Sequence, residues 1–322
     1  SFKGGPAYYM EKGLKKRWLG ILFSVLIIIS FGFAFNSVQS NTIASAFSSA
    51  FNIDVTITGV ILTIFTLVII FGGVHRIAKI TGLIVPVMAV AYLLLAAFIV
   101  CKNITELPSV LKMIFANAFG FEQVLGGTLG AAILQGIKRG LFSNEAGSGS
   151  APCAAAAAEC DLPVKAGLVQ ALGVFIDTIV ICSCTAMIML LVPQDQIEGL
   201  AGMELLQTAM RYHLGEAGVI FIAVMLFLFS FSTFLGILFY ARSNVAYLFG
   251  DNWASQTAYK VLALVMLFIG GIAAYTFVWD LGDVGIGLMT VFNTVILYLM
   301  GGQALDELKK YEAVRKEQKK KN

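Results

Sequence analysis

The chain has 322 residues, of which 58% are hydrophobic and only 13% charged, where a soluble domain carries about 25% charged residues. Together with a mean hydropathy of +0.86, this excludes an ordinary water-soluble domain and points to an all-α polytopic membrane protein. The formal net charge of +3 speaks for membrane topology and against nucleic-acid binding.

A helix needs about 20 residues to cross a hydrocarbon core of about 30 Å. The pattern predicts eight spans, near 18–49, 56–74, 80–101, 125–158 (broken), 166–192, 217–241, 258–277 and 283–301. Their joints leave no room for a separate soluble domain, so residues 1–322 are expected to form one transmembrane domain. The first apolar span is too long to be a signal peptide. With the N-terminal segment inside, only Lys102, Lys112 and Arg211 fall outside, and Lys138 and Arg139 lie within a span. All other Lys and Arg are then cytoplasmic, and so are both termini. The basic tail at 309–322 reads as a juxtamembrane helix near anionic lipid.

In the first span, Asn36 and Gln39 share a helical face and Asn41 turns aside. They either line a permeation path or hydrogen-bond between helices, at about 0.6 kcal/mol per bond. Cys101, Cys153, Cys160, Cys182 and Cys184 lack CxxC spacing and read as small apolar residues. His75 and His213 sit at loop edges on opposite predicted sides, where histidines are usually solvated, and form no metal pair.

The most informative run is 136–159, GIKRGLFSNEAGSGSAPCAAAAAE. A charge at the bilayer centre costs about 2.5–3.5 kcal/mol even on the mildest scale, so Lys138, Arg139 and Glu145 need a polar interior or an interface. Ser143, Asn144, Gly147, Ser148 and Gly149 weaken a helix, through Gly backbone entropy and Ser/Asn competition for backbone hydrogen bonds. A polar, Gly-interrupted break between apolar halves marks a discontinuous helix, a common transporter binding site. Its backbone donors at a half-helix N-terminus, with the side chains of Ser143 and Asn144, suit an amino acid carboxylate. A packing hinge is the other reading. Glu145 has Lys138 and Arg139 seven and six residues before it, within ion-pairing reach. Asp177, alone in VFIDTIVICS, either serves function directly or supports the break by accepting hydrogen bonds. Trp279, Asp280 and Asp283 at the last hairpin are either an interfacial aromatic with solvated acids or an outer gate.

The run KRGLFSNEAGSGSAP, followed by GLVQALGVFIDT at 167–178, resembles the bacterial alanine/glycine:cation symporter family, the sodium:alanine symporters. GGPAYYMEKGL at 4–14 resembles the loop before that family's third core helix, and FSFSTFLG at 229–236 its eighth. The likeness extends over essentially the whole chain. It implies a leucine-transporter-type bundle of two inverted five-helix repeats, with substrate and sodium at broken first and sixth core helices. The eight spans then correspond to core helices three to ten, which makes the chain an N-terminally incomplete member lacking its first two core helices.

The resemblance implies sodium-coupled symport of small neutral amino acids by alternating access in a bacterial inner membrane. It implies a substrate site at Ser143, Asn144, Gly147, Ser148, Gly149, Ile237 and Gln39. The hydroxyls of Ser232 and Thr233 would join backbone carbonyls in an oxygen cage for the sodium ion, Na+; back-bonding to their own helix is the plainer reading. Glu145, Asp177 and Arg139 would gate or support the break. Two departures stand out. Ile237 takes the place of a Trp common in the family, which would enlarge the pocket, and 160–163 reads CDLP where His before Pro is common. Among other classes, an enzyme would need HExxH, a Ser/His pair or paired metal-binding acids, and none is visible. A non-transporting fragment or scaffold, and a proton-coupled carrier of a larger neutral amino acid, are the alternatives. Oligomeric state is not readable.

Overall fold

The computed structural model describes residues 4–71, 74–119 and 128–321, and no β-strand occurs among them. The start of the expected broken span at 125 lies outside the described residues. So do Lys3 and the side chains of His75, Arg76, Lys79 and Lys319–321.

A short helix α1 (Pro6–Lys12) leads into α2 (Arg17–Phe51), α3 (Val55–Phe71), α4 (Val74–Lys102) and α5 (Leu107–Phe119). Then come α6 (Thr128–Asn144), α7 (Ala151–Ala155) and α8 (Pro163–Leu190). The one-turn α9 (Gln194–Ile197), α10 (Gly202–Leu214), α11 (Glu216–Phe249), α12 (Trp253–Ile272) and α13 (Tyr275–Lys321) complete the chain. Six described helices are long and apolar enough to cross a membrane: α2, the Gly82–Lys102 part of α4, α8, α11, α12 and the Tyr275–Glu317 part of α13. α3 and α5 are apolar but shorter. The protein is therefore a polytopic helical membrane protein, with about six candidate spans among the described residues where eight were expected.

The largest boundary error is at the end. The expected spans 258–277 and 283–301 are in fact Trp253–Ile272 and Tyr275–Lys321, parted by two residues. Asp280 and Asp283 suggested a loop, but both are helical, and Asp283 is neutralised by Arg139 across the bundle. Hydropathy also overlooks α5 and α10, whose polar residues dilute their apolar faces.

Within α4, Leu83, Val87, Val90, Leu94 and Phe98 are exposed on one face, while Met88, Tyr92, Ala96 and Ile99 are buried on the other. Both faces are apolar, as a helix between lipid and protein must be, because tails and core are equally apolar. A helix in such surroundings associates through close fit rather than through hydrophobicity.

That fit centres on α2. A Cβ on Gly270 of α12 would lie 2.3 Å from Ser37 Cα, and one on Gly271 2.8 Å from Ser40 Oγ. On α13, a Gly285 Cβ would lie 2.9 Å from Ser30 Oγ. The seam is also hydrogen-bonded. Asn41 Nδ2 donates to the carbonyls of Gly270 (3.1 Å) and Ala273 (2.9 Å), and Ser37 Oγ to that of Met266 (3.2 Å). One apolar cluster joins Phe23, Phe31 and Phe35 of α2 to Phe234, Tyr259 and Ile286. A second joins Tyr92, Ile99, Ile188, Met210 and Ile222.

His213 is not a solvated loop residue. It is buried in α10, and its Nε2 lies 2.9 Å from the carbonyl of Ile188 near the end of α8. An acceptor there requires the Nε2–H tautomer. Burial first, and repulsion by Lys102 second, hold its pKa below the ordinary value.

Two outcomes are expected. Gly270→Ala drives a methyl into the backbone of Ser37 and lowers stability in detergent by about 1–3 kcal/mol, the usual cost of overpacking. Gly287→Ala, with nothing within 4 Å, leaves thermal unfolding unchanged or raises its midpoint. Equal midpoints for the two variants would contradict the close seam. For His213, stability from the neutral ring is complete above the free pKa of about 6.5 and is lost as pH falls toward the lower folded value. Wild type then loses more thermal stability than His213→Asn between pH 6.5 and 5, and parallel profiles would show that the ring protonates freely.

Candidate functional site

The helix expected to break does so. α6 ends at Asn144, α7 begins at Ala151, and the residues between are irregular. Three of them have positive φ: Glu145 (53°), Gly147 (84°) and Gly149 (97°). Gly149 is required twice over, since a Cβ there would also lie 2.6 Å from Pro6 Cγ and 2.7 Å from Phe23 Cζ.

The unwound backbone is held by its own side chains. The amide N–H of Ala146 donates to Asn144 Oδ1 (2.8 Å). Ser148 donates to the carbonyl of Glu145 twice, from its N–H (3.1 Å) and its hydroxyl (2.7 Å). The Ser148 and Ser150 hydroxyls are 3.1 Å apart, and both residues are buried.

α8 buttresses the break. Residues Ile176–Ile181 form a π-helical turn, a widening common at functional sites. It turns Asp177 and Thr178 toward α6, where the Ser143 hydroxyl donates to Asp177 Oδ2 and Asn144 Nδ2 to Thr178 Oγ1 (2.7 Å). Asp177 thus accepts a hydrogen bond at the end of α6. Asn144 has both ends of its amide engaged within the chain. A second π-helical turn, Ser30–Phe35, lies in α2.

Arg139 and Lys138 do not pair with Glu145. Arg139 makes two bonds to the Asp283 carboxylate, and Lys138 Nζ lies 3.8 Å from it. The Arg139 guanidinium also sits 5.5 Å from the Phe142 ring centre and 5.1 Å from that of Trp279. Asp283 is therefore not a solvated acid; its side chain is 10% exposed. Glu145 reaches the other way, toward Ser150, and into a cavity.

That cavity, about 570 Å³, is lined by Glu145, Ala154 and Ala157 from around the break, Ser232, Thr233, Ile237 and Tyr240 of α11, and Arg242, Tyr259 and Lys260. Glu145, Ser232, Thr233 and Ile237 all lie along its lining. The Ser232 hydroxyl donates to the carbonyl of Phe229 (2.9 Å), which leaves its lone pairs available to a cation. Hydroxyl and carboxylate oxygens are the kind of donor a hard cation prefers, and the same lining also carries the cations Arg242 and Lys260. Gln39 is buried but does not line the cavity, and Asn36 Nδ2 bonds its own helix at the Gly32 carbonyl (2.7 Å). Among the described residues, no three or more His, Cys, Asp or Glu side chains are placed to hold a metal ion.

Residues that sequence reasoning missed also meet the break. Asn293, fully buried in α13, donates from Nδ2 to the carbonyl of Gly147 (2.8 Å) and accepts from the Tyr9 hydroxyl at Oδ1. Cys153 Sγ contacts the carbonyl of Gly149 at 3.7 Å and links it to Asn244. An Asn amid an apolar run was the only available signal.

Comparison with known proteins identifies the family of the chain. The model of the sodium:alanine symporter family matches residues 1–322. A probable sodium/glutamine symporter of Bacillus subtilis is 47% identical over 315 residues, covering 98% of this chain and 66% of the relative. An amino-acid carrier protein of the same organism is 43% identical over 320 residues (98% and 67%). A sodium/alanine symporter of Methanococcus maripaludis is 38% identical over 323 residues (98% and 71%). The chain thus spans about two thirds of the length of these relatives. The chain belongs to the sodium:alanine symporter family, a family of membrane transporters and not of enzymes.

Proposed function

We propose that this protein is a sodium-coupled symporter of small neutral amino acids, working by alternating access as one transmembrane domain of the leucine-transporter type. A bacterial inner membrane with both termini cytoplasmic accords with the distribution of Lys and Arg. The observation that carries the reading is the unwound segment at 145–150 beside a cavity holding Glu145, Ser232 and Thr233, in a chain of this family.

Ser143, Asn144, Gly147, Ser148 and Gly149 form or shape the substrate site, with Ile237 as its wall and Gln39 behind it. Ser232 and Thr233 hold the sodium ion. Glu145, Asp177 and Arg139 support or gate the break. Sodium attracts Glu145 and the hydroxyls together, orders the break and raises substrate affinity, so both travel down the sodium gradient. A ligand shifts such an equilibrium only by its differential affinity for the two states.

A larger neutral substrate is the second reading. Ile237 lies on the cavity wall where the family pattern has Trp, and the relative from Bacillus subtilis at 47% identity is named for glutamine.

Two measurements test these readings. Thr233→Ala removes one oxygen and keeps helix propensity high. It should raise the sodium concentration for half-maximal uptake by about tenfold or more, the worth of a bond to a charged group, at unchanged protein amount. An unshifted sodium curve removes Thr233 from the cation site. Ile237→Trp should shrink the pocket. Glutamine and valine should then compete against labelled alanine about tenfold less well, while glycine and serine are retained, graded by size. Identical competition profiles would place Ile237 away from substrate.

A further inference from the structure

We infer that Asn293 is a positioning residue for the unwound segment, and that the Tyr9 hydroxyl of α1 orients its amide. This rests on the reading of that segment as the substrate site. The Gly147 carbonyl has left the helical ladder and needs a donor, so Asn293 must turn its Nδ2 toward it, at 2.8 Å. The amide oxygen then faces the opposite way, and only a donor satisfies it. Tyr9 supplies that donor. Its phenol stays protonated, because burial raises its pKa. The direction of the chain is thereby set: Tyr9 donates to Asn293, and Asn293 donates to Gly147.

The packing leaves Gly147 little freedom. A Cβ there would lie 3.2 Å from Thr294 Oγ1 and 3.5 Å from Thr290 Cγ2 of α13. At the other end of the segment, Pro6 of α1 abuts Gly149. A Gly5 Cβ would lie 2.6 Å from Cys153 Sγ. α1 therefore touches the segment directly at Gly149 and, through Asn293, at Gly147. Between these two points lies Ser148, whose hydroxyl holds the turn. A short helix outside the spans thus sets which way the Gly147 peptide points, and with it whether the neighbouring N–H groups face the site.

The test uses the whole protein in detergent and in proteoliposomes, with hydrogen–deuterium exchange of the peptide covering 143–150 and alanine uptake in parallel. Asn293→Asp keeps the shape but replaces the N–H donor with an acceptor. It should speed exchange in that peptide by about tenfold, the worth of one buried hydrogen bond, and raise KM for alanine more than it lowers maximal uptake. Tyr9→Phe removes only the hydroxyl and should give the same pattern at about threefold, which guards against a misfolded Asn293 variant. Wild-type exchange in Tyr9→Phe and in a folded Asn293→Asp overturns the inference. Faster exchange in both with unchanged KM upholds Asn293 as the residue that orders the segment, and overturns the reading of that segment as the substrate site.

Discussion

A helix that unwinds inside an apolar bundle must find a new partner for each N–H and C=O that leaves the ladder, because lipid offers none. Much of this structure answers that demand. Asn144 accepts from Ala146, Ser148 donates to Glu145, Asn293 donates to Gly147 and Cys153 touches the Gly149 carbonyl. Ala146, Ser148 and Cys153 belong to the broken helix itself, so most of the demand is met locally, and Asn293 of α13 supplies the donor that comes from another element, 2.8 Å from the Gly147 carbonyl.

The same demand explains the widened turn in α8. A regular helix would carry Asp177 and Thr178 past α6 at a different angle, whereas the π-helical turn rotates them toward Ser143 and Asn144. The carboxylate accepts a hydrogen bond from the Ser143 hydroxyl, and the threonine hydroxyl accepts one from the asparagine amide. One turn earlier on α6, Arg139 clamps Asp283 beside the Phe142 and Trp279 rings. The first half of the broken helix is thus tied to α8 by hydrogen bonds and to α13 by charge. A hydrogen-bonded tie and an ion pair differ in how they yield. Hydroxyl and amide donors can exchange one partner for another at little net cost, while parting the ion pair leaves Asp283, only 10% exposed, as an uncompensated charge.

Away from the break, α2 is the element against which the other helices are placed. Its serines meet glycines of α12 and α13 at distances that exclude any side chain. Buried hydrogen bonds between membrane helices add little each, so close approach rather than polarity holds the seam. This also accounts for the polar residues of α2. Asn41 and Ser37 serve the contact with α12, and Asn36 bonds its own helix. Gln39 remains buried away from the cavity lining.

By itself the sequence determined the class, the helical content and the place of the break. Each depends on local chemistry: apolar runs long enough to cross a bilayer, and glycines that alone accept positive φ at 147 and 149. The motif around 138–152 likewise sufficed for the family. Pairings were not legible, because a charge or an amide in sequence does not show what it will face. Arg139 and Glu145 are neighbours in the chain, yet Arg139 bonds an acid 144 positions away while Glu145 turns into the cavity. Asp283 looked like a loop residue until its cation was in place. His213 looked solvated until α10 docked it on α8, and Asn293 looked like any polar residue in a long apolar helix. Only the tertiary structure decided these, since a buried polar group takes its role from the partner that the packing brings to it.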